Sequence, residues 1–543
     1  MTTGNQERAG AAQVPNVPAS PGWERFLLPS IRDLIFLIAF WALLVGPLSN
    51  RPLADSDIGW HIRAGEQIVA THSVPHVDSF SSTMHGQPWF AWEWLYDALL
   101  GVVHNVMGLN GVVWLAALLM ATTFSLVFRQ LLARGTGLPV AIVLWMLALG
   151  AASIHMFARP HIVSWLFTLV WFLALERWEQ GSAPSWLRWI FPASTLLWVN
   201  LHGGWLLGLV LLAIYIAAAF VESWRDPDAF LRVRHAQRGR AMALTLVASA
   251  LATFVNPYGW RLHQHIYRYL GDRYLMDKIA EFRSPDFHGW GQRCFVAILV
   301  LVLIAAAGSR QRMRLRHWLV VLFAAWSGVY AVRNLPMSAI LLALIAGPML
   351  WESVVGLAGK NAAWGLVRRR AVWLSEFSGR ASAQEFRLRG HVWPVLGVIV
   401  ALAICLHGGR LGTQVVIHHE FDGQHFPSHA LEFLAREGNS DPIFGPDQWG
   451  GYFIYSLYPK RLVMIDDRHD LYGSERFRDY LVIIQGEPGW KDVLNIWPIK
   501  TFVLPADSTL ANLLGQLPGE WVRVYEDKGV VVIEKRALSS ARP

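Results

Sequence analysis

Apolar runs of about 17–22 residues, each long enough to cross a bilayer as a helix, dominate the first 410 residues of the chain. The first runs from Leu34 to Leu48, and others centre near residues 120, 147, 169, 193, 213, 249, 300, 325, 346 and 400. A further apolar stretch, Trp89–Met107, is interrupted by Glu93, Asp97 and His104. The first 30 residues are polar, rich in Pro, Gly and Ala, and are expected to be unstructured. The Leu34–Leu48 run has no small-x-small cleavage site after it, so it reads as an uncleaved first span.

From about Thr413 the pattern becomes that of a water-soluble region. Pro427–Arg436, Ser474–Ile484 and Leu510–Leu517 have helical periodicity. Pro442–Phe444, Leu462–Ile465, Thr501–Leu504, Val522–Tyr525 and Val530–Ile533 read as short strands. This alternation predicts a small α/β domain over 411–543, following a membrane domain over 31–410. The fold expected is thus a polytopic α-helical membrane protein with about eleven transmembrane helices, juxtamembrane helices in a first outer loop (51–108), and a C-terminal α/β domain.

Composition agrees. Hydrophobic residues make up 54%, mean hydropathy is +0.33, and charged residues are only 16%, against about 25% in soluble domains. The 28 tryptophans suit a chain with two membrane–water boundaries. Cys294 and Cys405 lie far apart in apolar runs and read as core hydrophobes, not a redox pair or metal site. Neither GxGxxG nor a P-loop is present.

The net charge of +8 acquires meaning by position. Arginine and lysine cluster at 129–134, 177–188, 225–240, 310–316 and 360–389. All five clusters fall on the cytoplasmic side only if the 89–107 helix lies on the membrane surface instead of crossing it. The basic excess is then a topology signal and not a nucleic-acid footprint. Loop 51–108, the turns at 159–161 and 200–204, segment 256–293, Arg333-Asn334 and everything after Arg410 are placed outside, as expected of a multi-pass membrane protein.

Ionisable groups beside a membrane are costly and mark candidate sites. Asp55-Ser-Asp57 and His61 follow the first span. A helix N-cap accounts for one acid but not for a D-x-D with a histidine one turn on. Glu93 sits in the Trp-rich surface helix, where an interfacial anchor is the plain alternative. Arg159 and His161 flank Pro160 at a span boundary, suited either to snorkelling or to gripping a lipid phosphate. Asn200-Leu-His202-Gly-Gly and Arg333-Asn334 are similar boundary features, with a tight turn as the plain reading of the first. Segment 256–293, with Tyr258, His263, Tyr267 and Glu281, suits an amphipathic lid. Asp466, Asp467, His469 and Asp470 carry the donors of a divalent-ion site, although a turn with internal Asp–Arg pairing explains them too.

Asp57-Ile-Gly-Trp-His61, Pro75-His-Val-Asp78, Arg159-Pro-His161, Asn200-Leu-His202-Gly-Gly and Gly450-Gly-Tyr452 with Ile465-Asp-Asp-Arg468 resemble a bacterial set of GT-C-like proteins. The acidic motif after span one, the surface helices 57–70 and 89–107, and the outer C-terminal region resemble the GT-C superfamily of integral membrane glycosyltransferases more broadly. Where many relatives carry a His-Pro-Pro-like motif, this chain reads Gln87-Pro-Trp-Phe-Ala-Trp-Glu-Trp. The resemblance implies sugar transfer from a polyprenyl-phosphate-linked donor to a glycan, lipid or protein acceptor on the outer face, with membrane lipid around the site and no nucleic acid. Asp55 or Asp57 would be the base and Arg159 or Arg333 the phosphate grip. His61, His161 and His202 would orient groups or bind a divalent metal, while Glu93 and Asn200 would contact substrate.

Two other classes compete. A lipid or glycan transporter or flippase would show internal repeats and polar groups near the midplane, and neither is evident here. A non-catalytic envelope-assembly protein on a GT-C scaffold would keep the architecture without the chemistry.

Overall fold

The computed structural model describes residues 22–181, 184, 186–310, 312–356 and 365–536. Most of the expected unstructured N-terminal segment, residues 1–21, lies outside that range. Beyond it Glu24–Leu27 forms a helical turn, and Ser30 and Asp33 close a capping box on the Ile31–Leu44 helix.

Helices occupy every apolar centre seen in the sequence: Ile31–Leu44, Trp94–Ala133, Leu138–Ala152, His161–Glu179, Leu187–Leu201, Trp205–Arg225, Ala229–Ala252, Trp290–Gly308, Leu315–Tyr330, Leu335–Gly356 and Val392–Leu406. Among the described residues, six helical stretches are long and apolar enough by themselves to cross a membrane. A seventh appears if 368–387 and 392–406, bent by 60°, form one broken span. The others are too short, as Leu187–Leu201 is at 15 residues, or carry charge, as His161–Glu179 does at Glu176, Arg177 and Glu179.

The Trp94–Ala133 helix has 40 residues, roughly 60 Å at 1.5 Å per residue and twice the hydrocarbon thickness of a bilayer. It is broken at Gly108, whose φ of 61° and ψ of −155° are not helical. The stretch 94–107 is therefore an element of its own, and it packs on the Asp57–Thr71 helix. Their crossing is made of glycine: a Cβ on Gly65 would collide with the Asp97 carbonyl, and one on Gly101 with the backbone of Gly65.

Charge separates along the bundle. Helix His161–Glu179 starts beside His202 and ends where Glu179 meets Arg238 at 2.6 Å and Arg316 at 3.6 Å. Eighteen helical rises, roughly 27 Å, separate the two ends. At the second end Glu176 is gripped by Arg134, Arg316 and His317, each at 3.0 Å, and by the Tyr215 hydroxyl at 2.8 Å.

The C-terminal region contains a four-stranded sheet in the order Ile443–Phe444, Thr501–Pro505, Val530–Lys535, Trp521–Glu526. The first pair is parallel and the others antiparallel. Helices Ser428–Arg436, Asp447–Leu457, His469–Gln485, Trp490–Ile496 and Thr509–Gly515 surround it. Leu462–Ile465, expected as a strand, is not one. Val463 instead makes single bridges to Ile443 and to Ser81 of the first loop. Its backbone is spent joining two parts of the chain, which leaves no ladder to extend.

That junction is close. Helix Asp447–Leu457 crosses the start of helix Asp57–Thr71 at Gly451 and Gly59, where a Cβ on either would strike the partner's backbone. Overpacking of this kind costs about 1–3 kcal/mol. Gly451→Ala is expected to lower the apparent Tm of the detergent-solubilised protein by several degrees. Gly438→Ala, with open space around it, should leave it unchanged, and equal melting of the two variants would contradict the packing argument.

Candidate active site

A cavity of about 460 Å³ opens where four parts of the chain meet. Its walls are the Ala54–Asp57 turn, the Trp89–Glu93 loop, the Lys278–Phe282 segment with Arg333, and the residues around Asp447 and Asp467. Each wall is local chemistry at an element boundary. Asp57 begins a helix, and its backbone N–H donates to Asp55 Oδ1 at 3.0 Å. Arg159 precedes Pro160, which leads into the His161–Glu179 helix.

Arg159 is the hub. Its Nη1 lies 2.9 Å from both Asp55 Oδ2 and Glu281 Oε1, and its Nη2 lies 2.9 Å from Asp57 Oδ2. Burial alone would lower the Arg159 pKa, but these three carboxylates outweigh it and hold the guanidinium charged. Glu281 stays below the usual carboxylate range because Arg159 overcomes its burial. Burial raises Asp57 to about 6, with Arg159 limiting the rise. Arg333 differs: its guanidinium lies 4.5 Å from the centre of the Phe282 ring and is in no salt bridge among the described residues.

Beside this ion-paired group is a neutral one. Burial pushes the Glu93 carboxyl up to about 8 and the His202 ring down to about 3. Burial likewise holds His61 neutral and Asp97 protonated. His61 Nδ1 and Asp97 Oδ1 share a hydrogen bond of 2.6 Å, and His61 Nε2 is 3.8 Å from Glu93. The Gly204 backbone N–H and the Ser164 hydroxyl both point at His202 Nδ1, at 3.0 and 2.6 Å. Nδ1 is therefore an acceptor, and the ring proton is on Nε2, 3.6 Å from Glu93. That tautomer does not suit His202 as a metal ligand through Nε2.

In the far wall Asp466 pairs with Arg468, at 2.8 Å to Nε and 2.7 Å to Nη2, which is the internal Asp–Arg turn. Arg468 also reaches Asp78 of the first loop at 2.7 Å. Asp470 is taken by His265 at 2.8 Å. This leaves Asp467 and His469 facing the cavity next to Asp447. His469 Nε2 is 3.0 Å from Asp447 Oδ2, and one donor atom from each of the three fits within 4.8 Å.

Of the residues selected from sequence, Asp55, Asp57, Glu93, Arg159 and Arg333 line the cavity. His61 and His202 stand behind Glu93. His161 and Asn200 do not line it. The His161 Nε2–H donates to the His155 carbonyl at 2.7 Å, and Asn200 receives the Trp94 indole N–H at 2.7 Å while donating to Val255, so both brace the walls. Segment 256–293 supplies Tyr269, Lys278 and Glu281, whereas Tyr258 hydrogen-bonds to Pro75 and Ala91. Asp447 escaped sequence reading because an acid in the first turn after Pro446 looks like an ordinary helix start.

No protein-family model matches the sequence, and no curated protein matches it. Among solved structures the chain is similar to that of ArnT from Cupriavidus metallidurans bound to undecaprenyl phosphate, with a TM-score of 0.46 and 15% identity, over 94% of this chain and 98% of that one.

The neutral group has a measurable signature. The unfolded chain ionises Glu93 near the usual 4.5, whereas the folded protein keeps the proton to about 8. Between these values the folded state binds more protons, so its stability falls as pH rises through the window. Glu93→Gln, which mimics the protonated form, should flatten this decline. Melting from about pH 5 to pH 8 should show a smaller loss of Tm in the variant than in the native protein, and parallel curves would refute a protonated Glu93.

Proposed function

We propose that this chain is a GT-C-type glycosyltransferase of a bacterial inner membrane. It transfers a sugar from a polyprenyl-phosphate-linked donor to an acceptor hydroxyl at the outer face. The observation that carries this reading is the Asp55–Arg159–Asp57 cluster. It stands in a cavity just after the first apolar helix, at the end of the bundle remote from the arginine clusters. A transporter would need its polar groups near the midplane instead. In this reading the eleven helices at the apolar centres cross the membrane, 94–107 lies along its surface, and the region after Arg410 is external.

The acceptor hydroxyl attacks the anomeric carbon, the bond from that carbon to the phosphate oxygen breaks, and polyprenyl phosphate leaves with the electron pair. Asp55 takes the hydroxyl proton: of the paired acids it is the more open, with 17% of its side chain exposed against 5% for Asp57. The charge growing on the departing phosphate needs a cation with free valence. Arg159 is saturated by three acids, so Arg333 is the better grip. The protonated Glu93, flanked by neutral His61 and His202, offers a hydrogen-bond donor to a sugar hydroxyl.

Deleting the gene should leave an unused lipid-linked sugar and remove one envelope glycan modification, read by mass spectrometry of both pools. Restoring Asp55→Asn should recover less than about 1% of the product, since a general base contributes roughly 10²–10⁴-fold. Arg333→Lys should recover more than Arg333→Ala, because a lysine keeps the charge without the fork. Unchanged lipid-linked sugars and glycans in the deletion, or full activity in both Asp55→Asn and Asp57→Asn, would overturn the assignment.

A further inference from the structure

The cavity is poor in available positive charge for a phosphate donor. Eight carboxylate side chains line it, against four lysines and arginines. Two of the four cations are already engaged: Arg159 by three acids and Arg468 by Asp78 and Asp466.

We propose that Asp447, Asp467 and His469, with Asp57 at their edge, bind a divalent transition-metal cation in the cavity wall. The three side chains bring two carboxylate oxygens and one imidazole nitrogen within 4.8 Å of one another. The 3.0 Å between His469 Nε2 and Asp447 Oδ2 is about what two ligands at right angles, each with a bond of about 2.1 Å, would show. Asp57 is an independent pointer. Its side chain is 95% buried, since only 5% is exposed. Its Oδ1 faces Asp467 and no other donor among the described residues reaches it, so the two acids are satisfied only by sharing a proton or a cation. A carboxylate oxygen held out of water without a partner is costly, and a cation between it and Asp467 satisfies both acids.

The ligands are also held from behind, as metal ligands are in proteins. The Tyr480 hydroxyl donates to Asp447 Oδ1 at 2.9 Å and accepts the Asp447 backbone N–H at 2.8 Å. The His469 ring packs edge-on to Phe477, with centroids 4.5 Å apart. A histidine among carboxylates favours Mn²⁺ or Zn²⁺ over Mg²⁺ or Ca²⁺. The ion's role, to take a share of the donor phosphate's charge, rests on the transfer reading; the site itself does not.

The test uses full-length protein in detergent, stripped with chelator and titrated with Mn²⁺ and, separately, Zn²⁺ by calorimetry. One equivalent of at least one of the two should bind saturably and raise the Tm, with Ca²⁺ binding at least tenfold more weakly. Asp467→Asn and His469→Gln should each weaken binding by at least about tenfold. Their melting in chelator beforehand establishes that they are folded, and Asp447→Asn serves if either is not. Neither metal binding to the native protein, or undiminished binding in the folded variants, overturns the site. Saturable binding alongside an unchanged glycan profile in the gene deletion upholds the site and sinks the transfer reading. Transfer activity without metal binding does the reverse.

Discussion

The arrangement turns on one buried cation. Arg468 joins Asp466, two residues before it, to Asp78 in the first loop, nearly 400 positions away in the chain. All three side chains are sealed from water, and the guanidinium lies 4.8 to 6.0 Å from the ring centres of Trp60, Phe80 and Trp89. Removing one partner from such a buried ion pair costs about 3–5 kcal/mol, because it strands the other charge. The consequence for the site is geometric. With Asp466 turned inward to Arg468, the next residue, Asp467, lines the cavity beside Asp447. Ser82 and Phe80 bond the backbone of Val463 on the same side, so the C-terminal region is a wall of the cavity as well as a neighbour of it.

What could be read from sequence follows from scarcity. In a chain with so few charges, acids and arginines at the ends of apolar runs stand out, and Asp55, Asp57, Glu93, Arg159 and Arg333 do converge. The signal fails where the same residue type has a structural use of equal weight. His161 and Asn200 sit at the same kind of boundary but satisfy a carbonyl and an indole. Gly450 and Gly451 stood out only as part of a family-like motif, whereas in the structure they lie within a helix and let two backbones approach. The strand expected at 462–465 failed because periodicity reports which side chains are buried, not which backbone groups find a ladder.

The cavity holds two electrostatic regimes side by side. Asp55, Asp57 and Glu281 are each paired with the Arg159 guanidinium at 2.9 Å. Glu93, Asp97, His61 and His202 have no fixed cation within bonding reach, and burial keeps them neutral. A sugar, uncharged and rich in hydroxyls, suits the neutral zone. A phosphate suits only a place where cations exceed anions.

That constraint bears on Arg159. A phosphate reaches this guanidinium only by displacing one of its three carboxylates, and the three are not equivalent. Asp55 is anchored by the Asp57 backbone N–H, and Asp57 is the most buried. Glu281 is the most exposed of them at 29%, and it belongs to the 256–293 segment, which reaches the far wall through His265 and Asp470. Competition for Arg159 therefore falls on Glu281, because its displacement breaks one ion pair and leaves both loop acids in place. The loss of a rim carboxylate also shifts the local charge toward what a phosphate requires, so entry of the anion and withdrawal of that acid favour each other by simple Coulomb attraction.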